Sequence, residues 1–334
     1  MSNSLYPVDL SATYALMKTP MDTGLSPITI KNYVNRIDAV YKLASSNPYN
    51  GFIDLLIDYK TVITAINNSA LKLKSTYYTP IIKLFNYLAT ENQAKYGNLG
   101  DIVRNHYYPE FMKYKLESEE QRNDNITDVS QRHRYLDVAT ILRRLESYDI
   151  RHSSGRVIPS RLLNKLLVSF YFLNPTWVPR NDLHTLILAG KTTVLEGSHN
   201  YLVLNQRKNP SHIVLNHYKT SVAYGQQIIK ISKVVKDLLI QHIVLNSRKV
   251  GEYLFPTVGG GCYTDSAFSN VVANAFNEVL DVPMNIDIVR QIQISQFNST
   301  MPSNNQRIKY SKVFLHNLST ASQYIKLDIP TASS

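Results

Sequence analysis

Apolar positions in the first third of the chain recur at helical spacing. Ile30, Tyr33, Val34, Ile37, Val40, Tyr41 and Ala44 fall three or four apart and so share one face of a helix, with Ser26 placed to cap it and Pro27 in its first turn. "GFIDLLIDYKTVITAI" (51–66) is a second apolar-rich segment. "STYYTPIIKLFNYLA" (75–89) is a third, with Tyr78, Ile81, Ile82, Phe85 and Leu88 on one side and Pro80 near its start. The pattern then stops: "KLESEEQRNDNITDVS" (115–130) is polar, charged and without a period, which reads as a linker.

Helical spacing resumes in "RYLDVATILRRLESY" and "SRLLNKLLVSFYFL". Four short apolar runs follow, "LHTLILA", "NYLVLN", "HIVLNHYK" and "QQIIKIS", separated by polar or glycine-containing turns, and these predict strands. Helices return in "SKVVKDLLIQHIVLN", in "YTDSAFSNVVANAFNEVL" with Thr264 or Asp265 as its cap, and in "NIDIVRQIQISQF". The last segment, "VFLHNLSTASQYIKLD", predicts a short helix capped by Ser319 and carrying Tyr324. The fold class expected is mainly α with a small antiparallel β-sheet (α+β). Its parts are a helical domain over 1–115, a linker over 116–130 and a second domain over 131–334.

Composition narrows the function. The chain has 334 residues and a single Cys, which rules out a disulfide framework or a Cys-based zinc cluster and favours a reducing compartment. No apolar run is long enough to span a bilayer, and "MSNSLYPVDL" lacks the basic-then-apolar layout of a secretory signal, so an intracellular protein with no membrane partner is expected. Lys and Arg outnumber Asp and Glu by 36 to 25, a net charge of +11, which favours a polyanionic partner and nucleic acid first. Lys31, Arg36, Lys42, Lys72, Lys74 and Lys83 lie opposite the apolar faces of the N-terminal helices, where they suit a module that grips phosphates.

Around the predicted sheet, five residues have chemistry to offer. Arg180 lies in the polar turn before the first strand, Lys219 at the end of a hairpin strand whose tip runs from Thr220 to Gly225, and Arg290 beside apolar positions of a helix. His316 and Tyr324 lie close to the chain end. Taken singly, each has a structural explanation: Arg180 pairing with Asp182, Lys219 as one exposed lysine among many, Arg290 paired with Asp287, His316 and Tyr324 as packed core residues. In order and context, they resemble the tyrosine recombinase/integrase superfamily. Its pattern is an Arg before a small sheet, a Lys on a β-hairpin, a His-x-x-Arg helix, a His or Trp, and a nucleophilic Tyr near the C-terminus. The flavour is similar to recombinases of Crypton-type elements and of large DNA viruses or virophages. Two positions depart from the pattern: Asp287 stands at the first His of His-x-x-Arg, and "F-L-H" replaces "L-G-H" before His316.

The resemblance implies a site-specific recombinase acting on double-stranded DNA without a metal or any other cofactor. Arg180 and Arg290 would hold the scissile phosphate, since a guanidinium is always charged and its fork matches phosphate oxygens. His316 would donate to a nonbridging oxygen, Tyr324 would attack phosphorus, and Lys219 would protonate the 5′ leaving oxygen. Lys72, Lys74, Lys83, Arg207 and Lys208 are expected to contact the DNA backbone. The expected assembly is a homo-tetramer on DNA and a monomer or dimer when free. The alternatives are a type IB topoisomerase using the same tyrosine chemistry, and a DNA-binding protein that keeps the fold without the catalysis.

Overall fold

Residues 27–44, 52–91, 93–123, 126–127 and 129–329 are described by the computed structural model. Contacts divide the chain into two units, Met1–Asp124 and Asn125–Ser334, each with its own core.

Among its described residues, the first unit has seven α-helices: α1 (Pro27–Ala44), α2 (Phe52–Ile57), α3 (Tyr59–Asn68), α4 (Ser75–Glu91), α5 (Gln93–Tyr96), α6 (Leu99–Ile102) and α7 (Tyr108–Asn123). The predicted stripe of α1 is buried at Ile30, Val34, Ile37, Val40, Tyr41 and Ala44; its proposed cap, Ser26, lies outside the described residues. The second apolar segment is two helices, because Asp58 interrupts it. The Asp58 carboxylate accepts from the Thr61 backbone N–H (3.3 Å) and hydroxyl (2.7 Å), which caps α3. Pro80 sits inside α4, where it cannot donate to the Thr76 carbonyl four residues back. Arg36 supplies that bond instead, its Nη1 lying 3.3 Å from the Thr76 oxygen, so this cation serves the fold. The expected linker is helical over 116–123, as part of α7. Its Lys, Glu and Gln are good helix formers, and Lys115 and Glu119 face each other one turn apart at 3.9 Å. A helix solvated on most sides shows no apolar period, which is why the sequence pattern missed it.

The second unit opens with a 3₁₀ turn (Val129–Arg134), α8 (Val138–Ser147) and α9 (Pro159–Phe172). The sheet follows as β1 (Leu186–Ala189), β2 (Asn200–Leu204), β3 (Pro210–Leu215), the short α10 (Ser221–Tyr224) and β4 (Gln227–Lys230). Spatial order matches chain order, but β1 pairs with β2 in parallel while β2–β3 and β3–β4 are antiparallel. The sheet is therefore mixed and not wholly antiparallel: the connection through 190–199 carries the chain back to the end where β1 began. One face, with Leu186, Leu188, Leu202, Leu204, Ile213, Leu215 and Ile229, joins the main core. The other holds a small cluster of Ala189, Tyr201, Val203 and Val214 beneath Ile187 and Leu195.

Five helices complete the unit: α11 (Lys233–Leu245), α12 (Asp265–Leu280), α13 (Ile286–Ser299), α14 (Asn304–Val313) and α15 (Leu318–Ser322). Side chains of Ser232, Thr264, Asn285, Ser303 and Asn317 cap their N-termini, so Thr264 takes the position shared with Asp265, and Asn317 replaces the expected Ser319. Helix α14 has no apolar stripe for a periodicity reading to find; a capping box of Ser303 and Gln306 starts it. Among the described residues, no helix is long and apolar enough to cross a membrane.

His242 of α11 is buried beside Phe255, with Nε2 3.3 Å from the Leu254 carbonyl and Nδ1 3.3 Å from the Asn246 amide. Burial lowers its pKa to about 4, and nearby Arg248 adds to the effect. The unfolded chain, with an ordinary histidine, binds this proton first as pH falls. Stability should therefore drop between about pH 6.5 and pH 4, by on the order of 3 kcal/mol from this group once both states are protonated. Urea midpoints measured at pH 7, 6, 5 and 4 should fall steadily for the wild type and less steeply for His242→Gln. Parallel curves would show that His242 does not carry the linkage.

Candidate active site

Arg290 is set in α13, which is started by the Asn285 cap and faces the core through Ile288, Val289, Ile292 and Ile294. Its side chain is 1% exposed. A buried cation needs acceptors, and the surrounding backbone provides them: Nη1 donates to the Val178 carbonyl (3.2 Å) and Nη2 to the Phe314 carbonyl (2.9 Å). The guanidinium carbon also lies 5.0 Å from the Phe314 ring centre and 5.5 Å from that of Tyr324. Burial lowers its pKa to about 10, with Tyr324 opposing the drop and Arg180 adding to it, so Arg290 stays charged at neutral pH.

Arg180 ends the extended stretch that follows α9, just past the buried Trp177 and Val178. The Tyr171 hydroxyl donates to its carbonyl at 2.8 Å, which fixes its backbone from within the core. Its Nη2 reaches Nε2 of His316 at 2.5 Å, and Nη2 of Arg290 reaches the same nitrogen at 2.6 Å. Neither arginine takes the alternative role of a simple pair with Asp182 or Asp287.

His316 follows a sharp turn at the end of α14. Leu315 has φ +52°, in the left-handed region where a side chain costs about 1 kcal/mol, and this is the place the resembled pattern fills with Gly. The turn is tied down by the Thr220 hydroxyl donating to the Leu315 carbonyl (3.1 Å) and by the His316 N–H donating to Ser311 (3.2 Å). The imidazole is 3% exposed. A guanidinium offers only N–H donors, so Nε2 must be an acceptor and the ring proton must sit on Nδ1. Burial first, then the charges of Arg290, Arg180 and Lys219, depress the His316 pKa to about 3, and the ring is neutral at neutral pH. Among the described residues, Nδ1 has no hydrogen-bond partner.

Tyr324 stands just beyond α15, in the turn that follows it rather than on the helix, with its ring centre 5.3 Å from that of His316. Lys219 is exposed in the β3–β4 connection, four residues past the end of β3 and next to the Thr220 that holds Leu315. Its charge acts on His316. Arg180, Lys219, Arg290, His316 and Tyr324 thus belong to one cluster. Asp287 is exposed in the first turn of α13 and acts on Arg290 only through its charge.

The sequence reading gave no site role to Asp182. Asp182 is half-buried; desolvation raises the pKa of its carboxyl, while Arg180 and, more weakly, Arg290 pull it back. It is the acid placed to balance two neighbouring cations, and the signal for it was the "RND" spacing itself. Among the expected DNA contacts, Lys72 and Lys83 are exposed. Lys74 is engaged internally: its Nζ donates to the Asn67 carbonyl at 2.5 Å and lies 5.4 Å from the Tyr114 ring centre. Arg207 and Lys208 are exposed in the β2–β3 turn, at the end of the sheet opposite Lys219. Among the described residues, no three His, Cys, Asp or Glu side chains come together in a metal-binding group.

No protein-family model matches the sequence, and no curated protein matches it. Solved structures are similar along most of the chain at low identity. A crystal structure of XerA recombinase is 13% identical, with a TM-score of 0.39, covering 96% of this chain and 95% of the other. A lambda integrase dimer bound to a COC′ core site is also 13% identical, with a TM-score of 0.49 and coverage of 94% and 93%. An integrase from mycobacterium phage Brujita is 11% identical, with a TM-score of 0.32 and coverage of 97% and 94%.

Proposed function

We propose that this protein cuts and rejoins DNA strands as a site-specific tyrosine recombinase or integrase. The observation that carries the reading is the meeting of two guanidinium groups on one acceptor atom, with a phenol ring alongside. Two cations aimed at one point in a largely buried site suit a dianion-like, oxygen-rich transition state such as that of phosphoryl transfer. A DNA phosphate between Arg180 and Arg290 replaces the imidazole nitrogen as their shared acceptor. His316 then donates from a nitrogen to a nonbridging oxygen, and its proton location shifts to suit.

The Tyr324 oxygen attacks phosphorus as its proton passes to solvent water, and the phosphorus–O5′ bond breaks. The Lys219 ammonium passes a proton to the departing 5′ oxygen and is left as the amine that can take a proton back from the attacking 5′ hydroxyl in the resealing step. The product is a 3′-phosphotyrosine and a free 5′ hydroxyl. A 5′ hydroxyl from another strand attacks that phosphorus, displaces Tyr324 and reseals the backbone. The excess of basic residues supports duplex DNA as the partner, held through its phosphates, and strand exchange between two duplexes calls for a homo-tetramer during synapsis.

A nicked suicide duplex, which traps the covalent intermediate, tests the nucleophile. Wild type should form an SDS-stable adduct, and Tyr324→Phe should form none; an adduct that persists in the Phe variant would remove Tyr324 from this role. Arg180→Ala and Arg290→Lys should each slow adduct formation at least about 100-fold. Retained DNA affinity, measured by fluorescence anisotropy, would show that chemistry and not binding is lost.

The general acid has its own test. Lys219→Ala should cleave an ordinary phosphodiester about 100-fold more slowly, yet approach wild-type rates on DNA with a bridging 5′ sulfur, whose thiolate leaves without a proton. Equal defects on both substrates would mean that Lys219 does not protonate the leaving group. Supercoiled plasmid without a recombination site should be relaxed poorly; fast relaxation would favour a type IB topoisomerase activity instead.

A further inference from the structure

The chain beyond Tyr324 is fastened at several points within its own unit. The Lys326 N–H donates to the Ser295 hydroxyl at 2.7 Å, and Ser295 is a buried residue of α13, the helix that carries Arg290. Two residues later the Asp328 carboxylate uses both oxygens: one accepts from the Thr127 N–H (2.8 Å), the other from the Thr127 hydroxyl (2.6 Å), and Arg132 pairs with it at 2.9 Å. Lys326 Nζ donates to the Ile126 carbonyl at 3.1 Å. Ile329 is then buried in the main core, against which Ile325 also packs, while Leu327 between these ties is 74% exposed. Thr127 itself is 3% exposed.

These ties have a mechanical consequence. On its N-terminal side Tyr324 is supported by α15, which is only five residues long and leaves Tyr324 outside it. On its C-terminal side the first backbone atom anchored outside this turn is two residues away, and the first charged anchor four residues away. A nucleophile between a short helix and an anchored tail segment inherits its reach from both, and a displacement of about 1 Å is enough to cost on the order of 100-fold in rate. The charged anchor joins the last described residues to Thr127, which lies just past the boundary between the two units at Asp124 and Asn125.

We infer that Asp328 is a positioning residue for Tyr324: its clasp on Thr127 and Arg132 holds the nucleophile from behind, in the same chain, at the point where the polypeptide enters the catalytic unit. The inference rests on the strand-transfer reading above. While the clasp is closed, residues 325–329 are committed to their own subunit. Arg132 is half exposed and Asp328 about one-fifth exposed, so the pair remains open to competition from salt.

The test uses the full chain and two independent readouts. Asp328→Asn loses the Arg132 pair and weakens the Thr127 bonds. It should lower the single-turnover rate of adduct formation at saturating nicked DNA about tenfold or more, with DNA affinity changed less than twofold. Trypsin cleavage after Lys326 under native conditions, followed by mass spectrometry, should become faster. Thr127→Val should act in the same direction and Thr127→Ser should restore the rate, which keeps the test meaningful if Asp328→Asn folds poorly. An unchanged rate in both Asp328→Asn and Thr127→Val, whether or not Lys326 becomes accessible, overturns the positioning role alone. A wild type that forms no adduct overturns the strand-transfer reading, and this inference with it.

Discussion

Two positive charges are held against each other in a site with little water, and the second unit is organised around making that tolerable. Arg180 and Arg290 share one nitrogen of His316, and like charges at that separation repel strongly unless the surroundings offer acceptors. The fold supplies them in two forms, carbonyls of Val178 and Phe314 and the lone pair of a neutral imidazole, and adds the half-buried carboxyl of Asp182 nearby, which acts on both arginines through its charge. Each is a partial answer. The carbonyls hold Nη1 and Nη2 of Arg290, while its buried Nε has no acceptor among the described residues, and the imidazole holds an N–H from each arginine in a way that a better acceptor can displace. A cluster satisfied in this manner is preorganised for an anion and is not quenched by a permanent salt bridge.

That requirement explains features which otherwise look arbitrary. Leu315 adopts a left-handed backbone without being Gly, because only such a turn after α14 brings His316 back toward α13 while the Phe314 carbonyl faces Arg290. Packing of the buried Leu315 side chain offsets the conformational cost. Thr220 binds the same turn from the β3–β4 connection, so the lysine-bearing loop and the histidine-bearing turn are joined by one hydrogen bond. Tyr171 holds Arg180 through its backbone, and Tyr171 is itself fixed by packing on Phe276 of α12. The clustered side chains come from four different loops and one helix.

Much of this was legible in the sequence, and the rest was hidden for identifiable reasons. The strands and the long helices of the second unit announce themselves because one face of each is buried, as with Phe268, Val272, Phe276 and Val279 of α12. Helices α7 and α14 do not, since charge patterning and caps sustain them with little burial. The parallel pairing of β1 with β2 depends on where a ten-residue connection returns, and no local propensity encodes that. Order and context picked out five residues that the structure places in one cluster, but they did not give the mutual distances. The Asp328 clasp was missed because its importance comes from Thr127, which faces it across 201 residues of chain, whereas Asp182 lies only two residues from Arg180 and was read as no more than that arginine's local partner. Lys74 shows the opposite failure: an isolated basic residue on an expected DNA face is spent on Asn67 and Tyr114.

Asp287 is the sharpest departure from the pattern that the chain resembles, and its surroundings give it a coherent role. It occupies the first turn of α13, two residues after the Asn285 cap, where unpaired backbone N–H groups and the helix dipole favour a carboxylate. Exposed to solvent, it pays little to remain charged, and it raises the proton affinity of Arg290 one turn further on. A histidine at this place would add a donor for an incoming phosphate; aspartate instead steadies the arginine and the helix that presents it. In the strand-transfer reading proposed above, anion binding would fall on Arg180, Arg290, Lys219 and His316. With one donor fewer, the geometry of those four and the placement of the phenol must be held more tightly, which is the physical setting in which anchoring the tail behind Tyr324 has value.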